Sequence, residues 1–242
     1  MERANDAGEE RPSPEHLERS AAILAALAAR TTDVGLAIRG VFHPDATEFT
    51  TLAHIGTVVL LGFTGSVQWA RFAASAEATD GASNPLDRWS RRSIDALAQE
   101  FEATAFYPTG VPALPFQRLA RHAEPVHQSP LGLLIHPQWG LWHAYRAGLQ
   151  LRERLPLATT TVVEPACSRC RDRPCLSGCP VGAFARGTLD VERCVAHVRS
   201  DAGVECRERG CLARRACPEG TAYRYVADQA RFHMAAFLRA VS

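Results

Sequence analysis

The run Cys167-Ser168-Arg169-Cys170-Arg171-Asp172-Arg173-Pro174-Cys175-Leu176-Ser177-Gly178-Cys179-Pro180 opens the stretch on which the rest of the chain is organised. With Cys194, Cys206, Cys211 and Cys217-Pro218 it holds all eight cysteines, while the 166 residues before it hold none. Thiols confined to one segment mark a site, and in a reducing compartment such a group binds metal more readily than it forms disulfides. The asymmetry divides the chain. Residues 13–160 read as one domain, 161–222 as a second built around the cysteines, and 223–242 as a helix packing back on the core. Residues 1–12, charged and poor in bulky apolar side chains, read as a disordered tail.

Composition narrows the class. With 46% hydrophobic residues and a formal net charge of +1, the chain can bury a sizeable core. The near-neutral balance gives no electrostatic footprint for polyphosphate, so nucleic acid is expected not to be a partner. No stretch approaches the roughly 18 uninterrupted apolar residues of a membrane span, and the N-terminus has no apolar leader core. The expectation is a cytoplasmic protein with no membrane association.

Before the cysteines the pattern is mixed α+β. Ser13-Pro14 is an N-cap followed by a first-turn proline, and Leu17, Ala21, Leu24 and Leu27 follow at helical spacing. Val34–Ile38 and the apolar run His54–Phe63 read as buried strands. A helix is expected from Val67, a longer one after Asn84-Pro85 with Leu86, Trp89, Ile94, Leu97 and Phe101 inward, and a short one over Phe116–His122. Gly132–Gly148 reads as strand, glycine-containing turn and strand, which would put His136–Leu141 at a sheet edge or cavity mouth. The terminal helix, Tyr225–Val241, carries an apolar face of Val226, Ala230, Met234, Phe237, Leu238 and Val241. The turn Gly62–Gly65 matches neither phosphate-binding glycine pattern.

The chemistry lies in the spacing. In Cys167-x2-Cys170-x4-Cys175-x3-Cys179-Pro180 a short loop lets three thiolates converge, and the proline-linked cysteine opens a helix pointing away. The same Cys-Pro ending recurs at Cys217-Pro218. Bacterial ferredoxin runs end this way, the last cysteine of each run ligating the cluster of the other. Swapping the proline-linked cysteines gives two sets, Cys167/Cys170/Cys175/Cys217 and Cys179/Cys194/Cys206/Cys211, each able to hold a four-iron, four-sulfide (4Fe-4S) cluster. Two zinc sites are the alternative, although zinc ribbons usually show paired Cys-x2-Cys knuckles and only one such pair is present.

These residues resemble the ferredoxin module of epoxyqueuosine reductase, in which an isolated Arg-Cys, here Arg193-Cys194, supplies a ligand from a helix between two runs. Gly132–Gly148, with Ile135-His136-Pro137, Gly140, Trp142 and Arg146, resembles the cobalamin-binding core shared by that enzyme and the cobalamin trafficking and decyanation chaperone. Tyr225, Gln229 and Phe232 resemble the same family's tail. The resemblance implies a nitroreductase-like α+β domain holding base-off cobalamin. His136, Trp142 and Arg146 would be cofactor contacts, and His136 and Tyr107 candidate proton donors. It further implies one-electron supply from a flavodoxin or ferredoxin to the clusters, and from them to a corrinoid. The expected activity is reductive corrinoid chemistry, either reduction of cobalt or removal of its upper-axial ligand. The alternatives are a stand-alone dicluster electron carrier, an epoxyqueuosine reductase-type enzyme on tRNA, and a flavin reductase of the same fold. No counterpart of the reductase's acidic proton donor is seen, so tRNA reduction is expected to be the lesser reading. An arginine on an otherwise apolar strand, Arg146, calls for an anionic partner.

Overall fold

The computed structural model of the chain describes residues 13–52, 54–109, 114–157, 163–185 and 187–241. The tail assigned to 1–12 and the domain boundary near 160 lie outside those residues. Helix α1, Pro14–Asp33, starts where Ser13 accepts a hydrogen bond from the His16 amide at 3.2 Å. Strands β1 (Ala37–Phe42) and β2 (Thr57–Thr64) follow, then the short helices α2 (Trp69–Ala73) and α3 (Ala76–Thr79) and the long α4 (Pro85–Glu100). Next come β3 (Thr104–Phe106), α5 (Phe116–Ala123), the paired β4 (His127–Gln128) and β5 (Leu134–Ile135), and β6 (His143–Leu151).

The cysteine region is a chain of short elements: α6 (Ala166–Arg169), α7 (Pro174–Ser177), a hairpin of β7 (Phe184–Ala185) and β8 (Thr188–Leu189), α8 (Val191–Arg199), α9 (Val204–Arg209) and α10 (Leu212–Arg215). Helix α11, Ala227–Ala240, closes the chain.

The main sheet has the order β1-β2-β6-β3, and every pair in it is antiparallel. Antiparallel sheets often expose one face, yet β2 is apolar along its length because both faces are covered. Val59, Leu61 and Phe63 enter a core with Leu27 of α1, Phe72 of α2 and Trp89, Ile94 and Leu97 of α4. Val58 and Leu60 enter a second core with Leu119 and Ala123 of α5, Phe42 and Phe49.

Two irregularities in the sheet decide where charge goes. On β1 the register jumps from Ile38↔Leu61 to Gly40↔Leu60, leaving Arg39 unpaired; on β6 it jumps between Leu61↔Ala147 and Gly62↔Tyr145, leaving Arg146 unpaired. A bulge inserts one residue and re-aims its side chain. Each bulge in this sheet therefore turns an arginine out of the alternation that an unbroken strand would impose. Gly62 is required at the second bulge, where a Cβ would stand 1.9 Å from the Ala144 carbonyl oxygen.

Several expected boundaries move. β1 begins at Ala37 because Gly35, at φ +81°, turns the chain between α1 and the strand. Asn84 occupies the position before α4, but in a left-handed conformation and without a side-chain cap. The terminal helix buries Gln229 and Ala230 and packs Phe232 on Trp69 and Phe72, whereas Val226 and Val241 are exposed. Gln229 decides that rotation: its side-chain oxygen accepts from Ser66 Oγ at 2.6 Å, and its amide nitrogen donates to the Gly65 carbonyl at 3.4 Å.

Candidate functional site: two cysteine groups beside a buried ion-pair network

All eight cysteines are free thiols. Cys167, Cys170, Cys175 and Cys217 line one cavity, brought there by α6, α7 and the chain after α10, and closed by Ile135, Leu141 and Pro218. The Cys167 thiol is pushed up by burial and by Cys217, Cys175 and Cys170 beside it. Cys194, on α8, is pushed up to about 11 by burial and then by Cys211, Cys179 and Cys206. The structure thus brings the cysteines together as two groups of four, with Cys217 in the first and Cys179 in the second. Burial raises the Cys211 and Cys217 thiols against the opposing pull of the Arg214 and Ala213 amides on the first and of the Glu219 amide on the second, while Ala183 donates to Cys179 Sγ at 3.3 Å. Such N–H···S contacts are among the groups that set a cluster's potential.

The donor set fits a cluster better than single ions. A zinc tetrahedron draws four sulfurs to about 2.3 Å from one centre. Among the described residues no three Cys, His, Asp or Glu side chains form a site for one ion. Thiolates on separate corners of a cubane stand around a shared volume, and Cys167, Cys170, Cys175 and Cys217 line one cavity. Four thiolates without a cation repel one another, so the groups suit a positively charged iron core.

The segment linking sheet and cysteines is His136–Trp142. An isolated bridge joins His136 to Gly140, and Gly140 sits at φ +55° where a Cβ would stand 2.1 Å from the Glu219 carbonyl oxygen. Arg214 donates to the Leu141 carbonyl at 2.5 and 3.1 Å, and Gln138 to the Tyr223 hydroxyl at 2.8 Å. This loop is therefore clamped to the cysteine region, with Leu141 in the wall of the first cysteine cavity.

Behind the loop lies a buried polar network. The side chains of Arg39 and Glu124 are 0% and 5% exposed, and both carboxylate oxygens accept from Arg39 Nη2 at 3.0 Å. Tyr145 donates to Glu124 at 2.5 Å. His143 donates through Nε2 to the Leu134 carbonyl at 3.0 Å, which leaves Nδ1 to accept from Arg39 at 3.2 Å. His136 Nδ1 accepts from the Gln138 amide at 3.0 Å, so its proton sits on Nε2, 3.5 Å from Glu124. The Trp139 ring stacks on His136 at 3.9 Å and under the Arg39 guanidinium at 4.4 Å. Burial and the Arg39 charge hold His136 down at about 4 and His143 at about 3, so both are neutral near pH 7. Burial raises the Glu124 carboxyl against the opposing pull of Arg39 and Tyr145. Burial followed by the Glu124 charge raises the Tyr145 phenol.

A groove of about 320 Å³ runs along this network, with His143, Ala144 and Tyr145 of β6 on one wall and Arg214, Tyr225 and His233 on the other. The structure places the remaining singled-out residues as follows. Arg146 bonds Asp87 and, at 3.0 Å, Ser90 Oγ on α4, so its anionic partner is supplied within the chain. Trp142 is buried edge-on against Tyr225 with Arg214 over its face. Tyr107 donates to Asp95 at 2.5 Å and lies under Arg91, and it shares no partner with His136. Arg39, Glu124 and Tyr145 were not anticipated. The available signal was Arg39 inside the apolar run Leu36–Phe42, the same anomaly that drew attention to Arg146.

No family model matches the chain, and no curated protein matches it by sequence. Solved structures do match in fold. One is epoxyqueuosine reductase with an epoxyqueuosine-modified tRNA-Tyr stem loop, at 15% identity and a TM-score of 0.52, over 86% of this chain and 68% of that one. Another is selenomethionine-labelled epoxyqueuosine reductase, at 14% identity and a TM-score of 0.52, over 88% of this chain and 69% of that one. The chain has the mixed α/β fold of these reductases.

The expectation that nucleic acid is not a partner is overturned, because a protein of this fold is seen holding a tRNA stem loop. The net charge misled because it averages over the chain, whereas contact is local. Residues 163–242 carry 13 arginines against nine Asp and Glu. The ranking of corrinoid chemistry above the tRNA-directed alternative is reversed by the same neighbours. Among the described residues no helix is long and apolar enough to cross a membrane.

Proposed function

We propose that the chain is an iron-sulfur redox protein in which Cys167, Cys170, Cys175 and Cys217 hold one 4Fe-4S cluster and Cys179, Cys194, Cys206 and Cys211 hold a second. Its substrate is a modified nucleoside presented by an RNA stem loop. The observation that carries this reading is the gathering of eight free cysteines into two groups of four, the first in an apolar wall shared with the sheet domain. When bound, the clusters supply single electrons at low potential. The groove between β6 and Arg214/Tyr225 is the place where a base fits: Arg214 and Tyr225 offer a stacking wall, and Tyr145, hydrogen-bonded to Glu124, holds a proton on the other. A flavodoxin or ferredoxin in the cytoplasm is the electron source in this reading.

A corrinoid is the second reading. It is favoured by a larger groove of about 640 Å³ beside Arg146, Phe232 and His233, and weakened by the satisfaction of Arg146 by Asp87.

Anaerobically purified protein should bind an epoxyqueuosine-modified stem loop and, once reduced, consume the epoxide. Reducible clusters with neither binding nor turnover would leave a plain electron carrier. A base-off spectrum on titration with hydroxocobalamin, without RNA turnover, would favour the corrinoid.

A further inference from the structure

The groove of about 320 Å³ beside β6 has no acidic side chain in its lining, yet Arg214 stands in its wall, half-buried. Nε and Nη2 of Arg214 both donate to the Leu141 carbonyl, which leaves the Nη1 edge for a ligand. Among the described residues no carboxylate lies within ion-pair distance of this guanidinium. A charge partly withdrawn from water calls for a counter-charge. The arginine is felt inside the groove, where burial and then the Arg214 charge hold His233 down at about 4, so that ring is neutral near pH 7.

Two ring nitrogens at the same corner lack partners as well. Trp142 is 2% exposed, and neither its buried indole Nε1 nor the buried Nε2 of His233 has a hydrogen-bond partner among the described residues. The guanidinium lies 4.5 Å over Trp142 and 4.5 Å over Tyr225, Tyr225 stands edge-on to Trp142 at 5.3 Å, and His233 lies 5.4 Å from Tyr225. Buried polar groups in folded proteins are nearly always paired, so two orphaned nitrogens and an unneutralised guanidinium around one tyrosine mark a corner built for an acceptor. The other grooves lack this combination. Glu77 and Asp87 line the one beside Arg146, and Asp33 the one beside Arg71. Arg173, in the groove outside the first cysteine group, is exposed, and none of the lining there has an orphaned nitrogen. Arg209, beside the second group, is exposed too.

We propose that Arg214, Trp142 and His233 form an oxyanion subsite that takes a phosphate group of a nucleotide held in this groove. The subsite stands on the groove itself; that the phosphate belongs to a nucleotide rests on the function proposed above. A guanidinium presents its donors in a planar fork that matches phosphate oxygens. An indole N–H only donates, and a neutral imidazole donates from Nε2 in one of its tautomers. Three donors from three side chains suit a group with several acceptor oxygens. A neutral base edge, which brings donors of its own, suits them less well. The volume lies at the lower end of the roughly 300–1,000 Å³ of small-ligand sites, which limits the occupant to a single nucleotide unit.

The test is isothermal titration of the anaerobic, full-length protein with guanosine monophosphate, guanosine and inorganic phosphate. The monophosphate should bind at least about tenfold more tightly than guanosine, and inorganic phosphate should compete with it. Arg214→Gln should weaken the monophosphate by about tenfold or more and leave guanosine nearly unchanged, with iron and sulfide content measured alongside. Trp142→Phe and His233→Phe keep a ring, remove one nitrogen donor each and leave the Leu141 clamp intact. Each should weaken the monophosphate several-fold, by about the worth of one hydrogen bond to a charged group, and they decide the question should Arg214→Gln lose iron. Arg209→Gln should change nothing. Equal affinity for guanosine and its monophosphate overturns the subsite while the base reading of the groove stands. A phosphate preference that both ring variants leave intact, or that Arg209→Gln abolishes equally, also overturns it. Inorganic phosphate bound through Arg214 without any nucleoside affinity keeps the subsite and removes the nucleotide reading, and binding of none of the three removes both.

Discussion

Glu124→Ala should be the most damaging single substitution outside the cysteines. It removes the carboxylate that accepts two of the Arg39 hydrogen bonds, at 3.0 Å each, and the Tyr145 bond at 2.5 Å, leaving a guanidinium that is 0% exposed with only the Phe63 and Ala144 carbonyls and His143 as acceptors and no counter-ion. Breaking one side of a buried ion pair costs about 3–5 kcal/mol, a large share of the 5–15 kcal/mol that holds a typical domain together. Replacing both partners is different, because Arg39→Met/Glu124→Leu removes the stranded charge along with the pair. The double variant should fall within about 1–2 kcal/mol of the wild type, so the singles and the double should be strongly non-additive.

The assay is native-state hydrogen exchange of β2 and β6 amides in anaerobic holo-protein, which reads local opening without requiring reversible unfolding of a cluster-bearing chain. Because the same network supports His136 and Trp139, exchange in the His136–Trp142 loop should rise first in Glu124→Ala. A cost below about 1 kcal/mol, or a double variant as poor as the sum of the singles, would refute the claim that this buried pair supports the His136–Trp142 loop from behind.

Stability should also fall with acid in a defined window. His136, His143 and His233 have folded-state values of about 4, 3 and 4, below the ordinary 6.5, so each stabilises the fold above pH 6.5 and loses that contribution as pH falls toward its folded value. Each histidine adds a slope of up to about 1.4 kcal/mol per pH unit, and exchange rates at pH 7, 6 and 5 measure the sum. A stability flat across that range would contradict the burial of these rings. Gly140→Ala should loosen the junction, since its added Cβ meets the Glu219 carbonyl at a left-handed φ of +55°. The strain is about 1–3 kcal/mol, and the first cluster should be lost faster under oxygen than the second. Cys194→Ala should remove the second cluster alone and roughly halve the iron content. Loss of all iron would mean that the two groups are not independent.

The elements that carry the fold were legible where one physical signal dominated. Ser13-Pro14 marked α1 because cap and proline act locally, and the apolar run at β2 marked a strand covered on both faces. That the cysteines form a site was read from their confinement to one segment; their division into two cluster-holding sets is the reading proposed above. The polar network was not legible, because it depends on two bulges that no local propensity encodes. The bulge beside Gly62 turned Arg146 toward Asp87 on α4, so the anionic partner this arginine calls for comes from within the chain, from an element the strand pattern alone does not name. The bulge beside Gly40 buried Arg39 against Glu124, 85 residues away, a pairing that only the tertiary structure creates. Net charge misdirected the view of nucleic acid for the reason that summed charge carries no position.

The central claim is that eight cysteines hold two clusters. The most direct measurement is iron, zinc and acid-labile sulfide per chain in protein purified without oxygen, together with its electron paramagnetic resonance spectrum after reduction. The account predicts about eight irons and eight sulfides per chain and a reduced-cluster signal. About two zinc ions per chain, with no sulfide and no signal, would contradict it.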